Sequence, residues 1–196
     1  DAAIALDPRD ADALIGKGVA LKALRRLPEA IETYHRAIEI APRAANAHLN
    51  LGNALALLHR HEEALACYER VLALDPNSAE ALNYEGNSLN ALNRHTEAVV
   101  RCEKAVALDP GVTEALSSLV YTKQRRWDWG GLPEQRQFLL DRVRARQYTA
   151  NPFALLGICD DPELHQIAAR AYTRETLPLA PAAKPPPAAP RDKLRI

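Results

Sequence analysis

The sequence predicts an all-α fold: a right-handed α-solenoid of helix-turn-helix repeats, followed by a short helical linker region. Four periodic series predict it. Gly18, Gly52 and Gly86 stand 34 residues apart, as do the pairs of small and apolar positions Ala30, Ala64, Ala98 and Leu21, Leu55, Leu89, and the closing prolines Pro42, Pro76 and Pro110. A fixed period of this size marks a helix pair that cannot bury its apolar face alone and stacks on its neighbours to build a continuous core.

The segment from Ala3 to Pro8 shares the phase of Ala37 to Pro42, Val71 to Pro76 and Ala105 to Pro110, so residues 1–10 read as the tail of a truncated preceding repeat. Three full repeats follow at 11–44, 45–78 and 79–112. These are tetratricopeptide (TPR) repeats by resemblance. Within each, helix A is expected near 11–24, 45–58 and 79–92, and helix B near 28–41, 62–75 and 96–109, each about 21 Å long. Glycine inside a helix costs up to about 1 kcal/mol relative to alanine, so Gly18, Gly52 and Gly86 imply a packing reason: close approach of helix B, with Ala30, Ala64 and Ala98 as the matching small side. Each closing proline stops helix B and holds the residue before it extended. A final helix A is expected from Thr113 to Arg125. There Val120 replaces the glycine and no helix B motif follows, so the array is expected to end at 113–126.

Composition fits a soluble helical chain, 47% hydrophobic and 26% charged with 25 basic and 25 acidic side chains. The part before residue 111 is mildly acidic and the rest mildly basic, a contrast that tunes association without naming a ligand; no nucleic acid partner is expected. No stretch approaches the roughly 20 apolar residues that span a bilayer, and no basic-then-apolar leader opens the chain. No membrane partner and a cytoplasmic location are the expectation. Cys67, Cys102 and Cys159 lack paired metal spacing and read as small apolar groups in a reducing compartment. The chain contains no Met, which, with the opening phase, suggests an internal piece of a longer protein.

In tetratricopeptide solenoids the A helices line the concave surface. Asn46, Asn50 and Asn53 are spaced i, i+4, i+7, and so are Asn83, Asn87 and Asn90, which places each trio on one helical face. An amide offers donors and an acceptor, so a row of them is a candidate site for the backbone of an acceptor peptide. The first repeat departs from the pattern, with Gly16 and Val19. Other chemistry is weak. His59 and His61 form an H-x-H, yet His61 and His95 share a place in the A–B turn and read as solvated turn residues; no third ligand lies at zinc-site spacing, so no metal is expected. Glu29, Glu63 and Glu97 read as first-turn charges favoured by the helix dipole. No phosphate-cradling loop or nucleophile elbow is present, and the catalytic residues are expected to be none within this chain.

After the last A helix come Arg125-Arg126-Trp127-Asp128-Trp129, an amphipathic helix near 133–147, Asn151-Pro152-Phe153, and a helix from Pro162 to Arg174; together 127–177 read as a helical junction segment. Residues 178–196 hold six of the chain's 14 prolines, all from Pro178 to Pro190, an extended semi-rigid linker, and Lys193-Leu194-Arg195-Ile196 reads as the start of a strand. This order resembles the junction in the protein O-linked N-acetylglucosamine transferase / SPINDLY family. The counterparts are Trp127-Asp128, Pro152-Phe153, Ala171-Tyr172, Pro185-Pro186-Pro187 and Lys193-Leu194-Arg195-Ile196. The resemblance implies a glycosyltransferase in which this array binds acceptor proteins, with Asn50 in Asn50-Leu51-Gly52 matching the family's Asn-Leu-Gly element, and with Trp127, Trp129 and Phe153 packing at the domain junction. It implies UDP-N-acetylglucosamine as donor for the parent enzyme, a sugar that becomes fucose in plant SPINDLY-type members, and its own catalytic domain as partner. No cofactor is expected on this piece, whose catalytic machinery would lie beyond Ile196. The alternatives are a non-enzymatic adaptor that mediates protein–protein interaction, or a tetratricopeptide arm on another enzyme such as a sulfotransferase or methyltransferase.

Overall fold

The computed structural model describes residues 10–110, 113–128, 130–145 and 159–176. Three antiparallel hairpins follow one another: α1 (Ala11–Ala23) with α2 (Leu27–Ile40), α3 (Ala45–Leu57) with α4 (His61–Leu74), and α5 (Ala79–Ala91) with α6 (His95–Leu108). Then come α7 (Thr113–Arg125), α8 (Leu132–Arg144) and α9 (Pro162–Thr176). Among the described residues there is no strand. The six hairpin helices fall within a residue of the boundaries that the period predicts.

α2, α4 and α6 each stop two residues before the closing proline, and the intervening residue leaves the helical region: Asp75 at φ −136° and Asp109 at φ −143° are extended, and Ala41 lies at φ −128°, ψ 80°. Asp10 caps α1 by accepting from Asp12 N at 2.9 Å and Ala13 N at 3.0 Å, and Ser78 caps α5 through Ala81 N; side-chain oxygens here satisfy N–H groups that have no partner within the helix.

The joint inside each hairpin is built from backbone. Arg25, His59 and Asn93 adopt positive φ near 60°, and each turn repeats the same two bonds, such as Arg25 N to Lys22 O at 3.0 Å and Arg26 N to Leu21 O at 2.9 Å. This left-handed closure satisfies the last carbonyls of the first helix. At the start of each second helix Arg26, Arg60 and Arg94 clasp Glu29, Glu63 and Glu97 through paired hydrogen bonds. The three glutamates are thus partners of an arginine as well as first-turn charges.

The mid-helix glycines do face helix B, but their partner is not the small-residue series. A Cβ on Gly18 would run into the ring of Tyr34, on Gly52 it would lie 2.5 Å from Tyr68 Cε1, and on Gly86 2.6 Å from Cys102 Sγ. The rings of Tyr34 and Tyr68 occupy the space that a side chain would need. Ala30, Ala64 and Ala98 are fully buried nearby.

Consecutive first helices touch one another (α1 with α3, α3 with α5, α5 with α7), whereas consecutive second helices (α2 with α4, α4 with α6) do not. The first helices therefore sit on the inner radius of the array and the second helices on the outer.

The turn that closes each hairpin recurs at the end of α7. Trp127 stands one period after Asn93, at φ 57°, and the turn bonds recur as Trp127 N to Gln124 O at 3.1 Å and Asp128 N to Lys123 O at 3.0 Å. The hairpin joint is made a fourth time, and α8 then starts at Leu132 and folds back on α7. Leu116 and Val120 of α7, Leu139, Leu140 and Val143 of α8, and Leu164 and Ala168 of α9 form one buried cluster with Cys159. These helices cap the exposed end of the stack, as terminal units of a solenoid must.

Candidate functional site

The inner surface is built from α1, α3, α5 and α7, and the asparagines on it fare differently. Asn46 is exposed, Asn50, Asn53, Asn87 and Asn90 are half-buried, and Asn83 is buried, 1% exposed. Asn83 is therefore corrected from a contact for an incoming chain to an internal group. Its period-mates are Ile15, Leu49 and Ser117, all at least partly buried. Asn90 is engaged at one end of the row, its Oδ1 lying 3.2 Å from His95 Nδ1. The period-mate of Asn90 is Ala56, and His61, the mate of His95, has a buried Nδ1 with no partner. His61 and His95 are thus half-buried first residues of helices, not solvated turn groups.

Asn50, Asn53, Asn83 and Asn87 belong to three hydrogen-bonded groups, two of which cross from repeat to repeat. Lys22 Nζ donates to Asn50 Oδ1 at 3.0 Å, and Asn50 Nδ2 donates to Asn46 O at 2.9 Å. Tyr68 donates to Asn53 Oδ1 at 2.8 Å, and the Tyr84 hydroxyl lies near Asn53 and Glu80, which both act on it. Ser118 donates to Asn87 Oδ1, Asn87 Nδ2 reaches Asn83 Oδ1, and Asn83 Nδ2 reaches Glu114 Oε2, each over a long 3.5 Å. The rings of Tyr68 and Tyr84 stack with centroids 5.9 Å apart, closing the seam between the second and third repeats.

Burial sets the electrostatics. It pushes the Tyr84 hydroxyl up to about 12, helped by Glu80 and Glu114, and raises Tyr68 further still with Tyr84 beside it. It lowers the Lys22 ammonium, against the opposing pull of Glu80. Both tyrosines stay neutral donors at physiological pH. In the first repeat Val19 stands where Asn53 and Asn87 stand in the next two, and the consequence is direct: the Tyr34 hydroxyl is buried without a partner, and desolvation raises it to about 12.

Lys22, Glu80, Tyr84, Glu114 and Ser118 complete this surface, and helical-face spacing within one helix does not find them. Comparing residues across the period does, because Tyr84 is the mate of Asn50 and Ser118 that of Tyr84. The junction residues separate from the site. Trp127 is 78% exposed at the fourth turn, Ala171 and Tyr172 lie in α9, and Trp129, Pro152, Phe153 and the segment from Pro185 to Ile196 lie outside the described residues. Among the described residues no cluster of three metal-ligating side chains forms, and no helix is long and apolar enough to cross a membrane. Cys67, Cys102 and Cys159 are unbridged; burial pushes the Cys67 thiol up to about 11 and Cys102 to about 12, so neither is a nucleophile at neutral pH.

Comparison with known proteins agrees with the architecture. Residues 45–78 match the tetratricopeptide repeat family and residues 23–58 a further TPR repeat family. No curated protein matches the sequence at a significant level. Among solved structures, the crystal structure of MamA is similar with a TM-score of 0.67 at 19% identity, over 74% of this chain and 84% of that one. MamA from residue 41 to the end, from Desulfovibrio magneticus RS-1, gives 0.64 at 23% identity over 70% and 77%. The first TPR of Spaghetti (RPAP3), bound to the HSP90 peptide SRMEEVD, gives 0.58 at 24% identity over 61% and 94%. Period, hairpin geometry and these likenesses converge on one architecture: residues 23–78 carry tetratricopeptide repeats, and the array is an α-solenoid of that repeat.

Proposed function

We propose that the array is a protein-interaction module that holds an extended polypeptide along the inner face of α1, α3, α5 and α7. The observation that supports this most is the row of half-exposed amides at Asn50, Asn53 and Asn87, the first and last held by a bond from a neighbouring repeat and Asn53 by Tyr68 of its own hairpin. Amides held by the fold need little ordering when a ligand arrives, which lowers the cost of binding. Neighbouring helices lie about 10 Å apart, so four of them span about 30 Å, the length of about ten extended residues. Glu80 and Glu114 on this face disfavour an acidic occupant such as the SRMEEVD peptide held by the RPAP3 repeat.

The test is titration with an N-acetylated, C-amidated Ala-Thr-Ser repeat peptide of about ten residues, followed through the side-chain amide resonances. Replacing Asn50, Asn53 and Asn87 together by Ala should weaken binding about tenfold or more, since each lost hydrogen bond is worth about 0.5–1.5 kcal/mol, while the chain stays helical. Unchanged affinity would reject the reading.

A finer reading follows from the junction resemblance: the trough would present acceptor polypeptides to a sugar-transferring domain that uses UDP-N-acetylglucosamine. What favours it is the order of α8 and α9 after Trp127-Asp128. Residues 1–196 alone should bind and transfer no sugar. A reading frame that stops at Ile196 would leave a plain adaptor, and one that continues into another fold would make the array an arm on another enzyme.

A further inference from the structure

Each of the inner helices α1, α3, α5 and α7 turns one face to the trough, with positions spaced i, i+4, i+7 and i+11, so the surface is four rows that run across the array. The two middle rows hold the amides, Asn50 in one and Asn53 with Asn87 in the other. The rows that flank them differ in kind. At the start of the helices stand Asp12, Asn46, Glu80 and Glu114, all exposed, each carboxylate in the first turn of its helix. Toward the other end the surface turns apolar: Val19, Leu57 and Tyr121 are 42%, 48% and 39% exposed, and Ala23 and Ala91 lie open beside them. Lys22 and Arg125 also stand at that end, the first bonded to Asn50 and the second laid over the Tyr121 ring. The trough is therefore polarised across its width, with its carboxylates along one edge and its apolar side chains along the other.

The geometry of an extended chain converts this polarity into a pattern. In an extended backbone the N–H and C=O groups lie roughly at right angles to the side chains, and successive side chains point to opposite sides. A segment that turns its backbone toward the amide floor therefore sends alternate side chains to the two edges. At the rise of an α-helix, the midline between the amide rows lies about 8 Å from either edge, a gap that two long side chains close by meeting partway.

Resting on the trough reading above, we infer that the occupant is an extended polypeptide segment in which basic and apolar side chains alternate, the basic ones along Asp12, Glu80 and Glu114 and the apolar ones along Val19, Leu57 and Tyr121. Positive charge by itself does not meet this pattern, because a block of lysines sends every second one to the apolar edge.

Two capped decapeptides of one composition separate the cases: five Lys alternating with five Val, and an isomer with the five Lys in one block. Both carry the same charge, so general attraction to the acidic edge acts on both. Titrations of the 196-residue protein, run beside the Ala-Thr-Ser peptide and followed through the Asn50, Asn53 and Asn87 amide resonances, should favour the alternating isomer by about tenfold, the yield of a few exposed ion pairs together. Asp12→Asn, Glu80→Gln and Glu114→Gln combined should cut that advantage to about threefold or less. Equal affinities for the two isomers, with the Ala-Thr-Ser peptide still bound, would overturn the alternation and leave the trough in place, as would an advantage undiminished in the variant. If none of the three peptides moves these resonances, both readings fall.

Discussion

The second and third repeats are built on the same period, yet they fill their interiors by different means. In the second, Tyr68 lies flat against Gly52 and Leu51 is 3% exposed, within an apolar cluster that also contains Tyr34 and Leu55. In the third, the mates of Tyr68 and Leu51 are Cys102 and Glu85, the mate of Cys67 is Arg101, and the core divides into smaller clusters. Glu85 is 3% exposed, with Oε1 3.0 Å from Arg101 Nε and Oε2 without a partner. A tetratricopeptide hairpin thus keeps its backbone while its interior passes from aromatic to ionic, because the turn and the stacking fix the frame. What the third repeat loses in apolar packing it gains in polarity, with Asn83 inside and Glu80 and Tyr84 on the inner surface.

The largest difference should appear at the glycines. Gly52→Ala drives a methyl into a ring that has no room to move, and overpacking of this kind costs about 1–3 kcal/mol. Gly86→Ala meets a single thiol that can rotate, and it gains up to about 1 kcal/mol of helix propensity. Urea denaturation should show a loss of about 2 kcal/mol for the first and almost none for the second; equal losses would erase the contrast between the two interiors.

Next in size is the buried charge. Replacing a buried ion pair by apolar residues of similar volume is often neutral or stabilising. Glu85→Leu restores the residue of the second repeat while the half-exposed Arg101 can turn to water, so a gain of about 1 kcal/mol is expected. Burial raises the Glu85 carboxyl above its ordinary value, with Arg101 pulling the other way. A carboxyl raised in the folded state keeps its proton to higher pH than in the unfolded chain. Its contribution is therefore most favourable below the unfolded value near 4.5 and is lost as pH rises through the folded one. The stability difference between wild type and Glu85→Gln should widen against wild type as pH climbs through that range; a pH-independent difference would show that Glu85 reaches solvent.

The smallest effect lies in the first repeat. Val19→Asn places an amide where Asn53 meets Tyr68, and it gives the buried Tyr34 hydroxyl a partner. A gain of about 0.5–1 kcal/mol is expected, read as a rise in the urea midpoint. A loss would mean that the hydroxyl already has its bond, through water.

Sequence carried the frame because each boundary is written three times. One period predicts α1 to α6 within a residue, and prolines and glycines punctuate it. What escaped it depended on comparing repeats rather than reading one helix. The i, i+4, i+7 rule grouped Asn83 with Asn87, although the period aligns Asn83 with Ile15 and Leu49, which are core. Tyr34 and Tyr68 escaped as partners of the glycines because Cys102 breaks their series. The fourth turn was hidden by Trp127, a bulky residue in a conformation that favours Gly or Asn. The bonds from Lys22 to Asn50, from Ser118 to Asn87 and from Asn83 to Glu114 escaped because they join residues about one repeat apart, a geometry that only the stacking creates.

That fourth turn has a practical consequence. A joint closed by main-chain bonds accepts whatever is spliced behind it, so Asp128 is a natural seam: an additional hairpin inserted there would displace α8, lengthen the groove by one helix diameter, and leave the upstream units undisturbed.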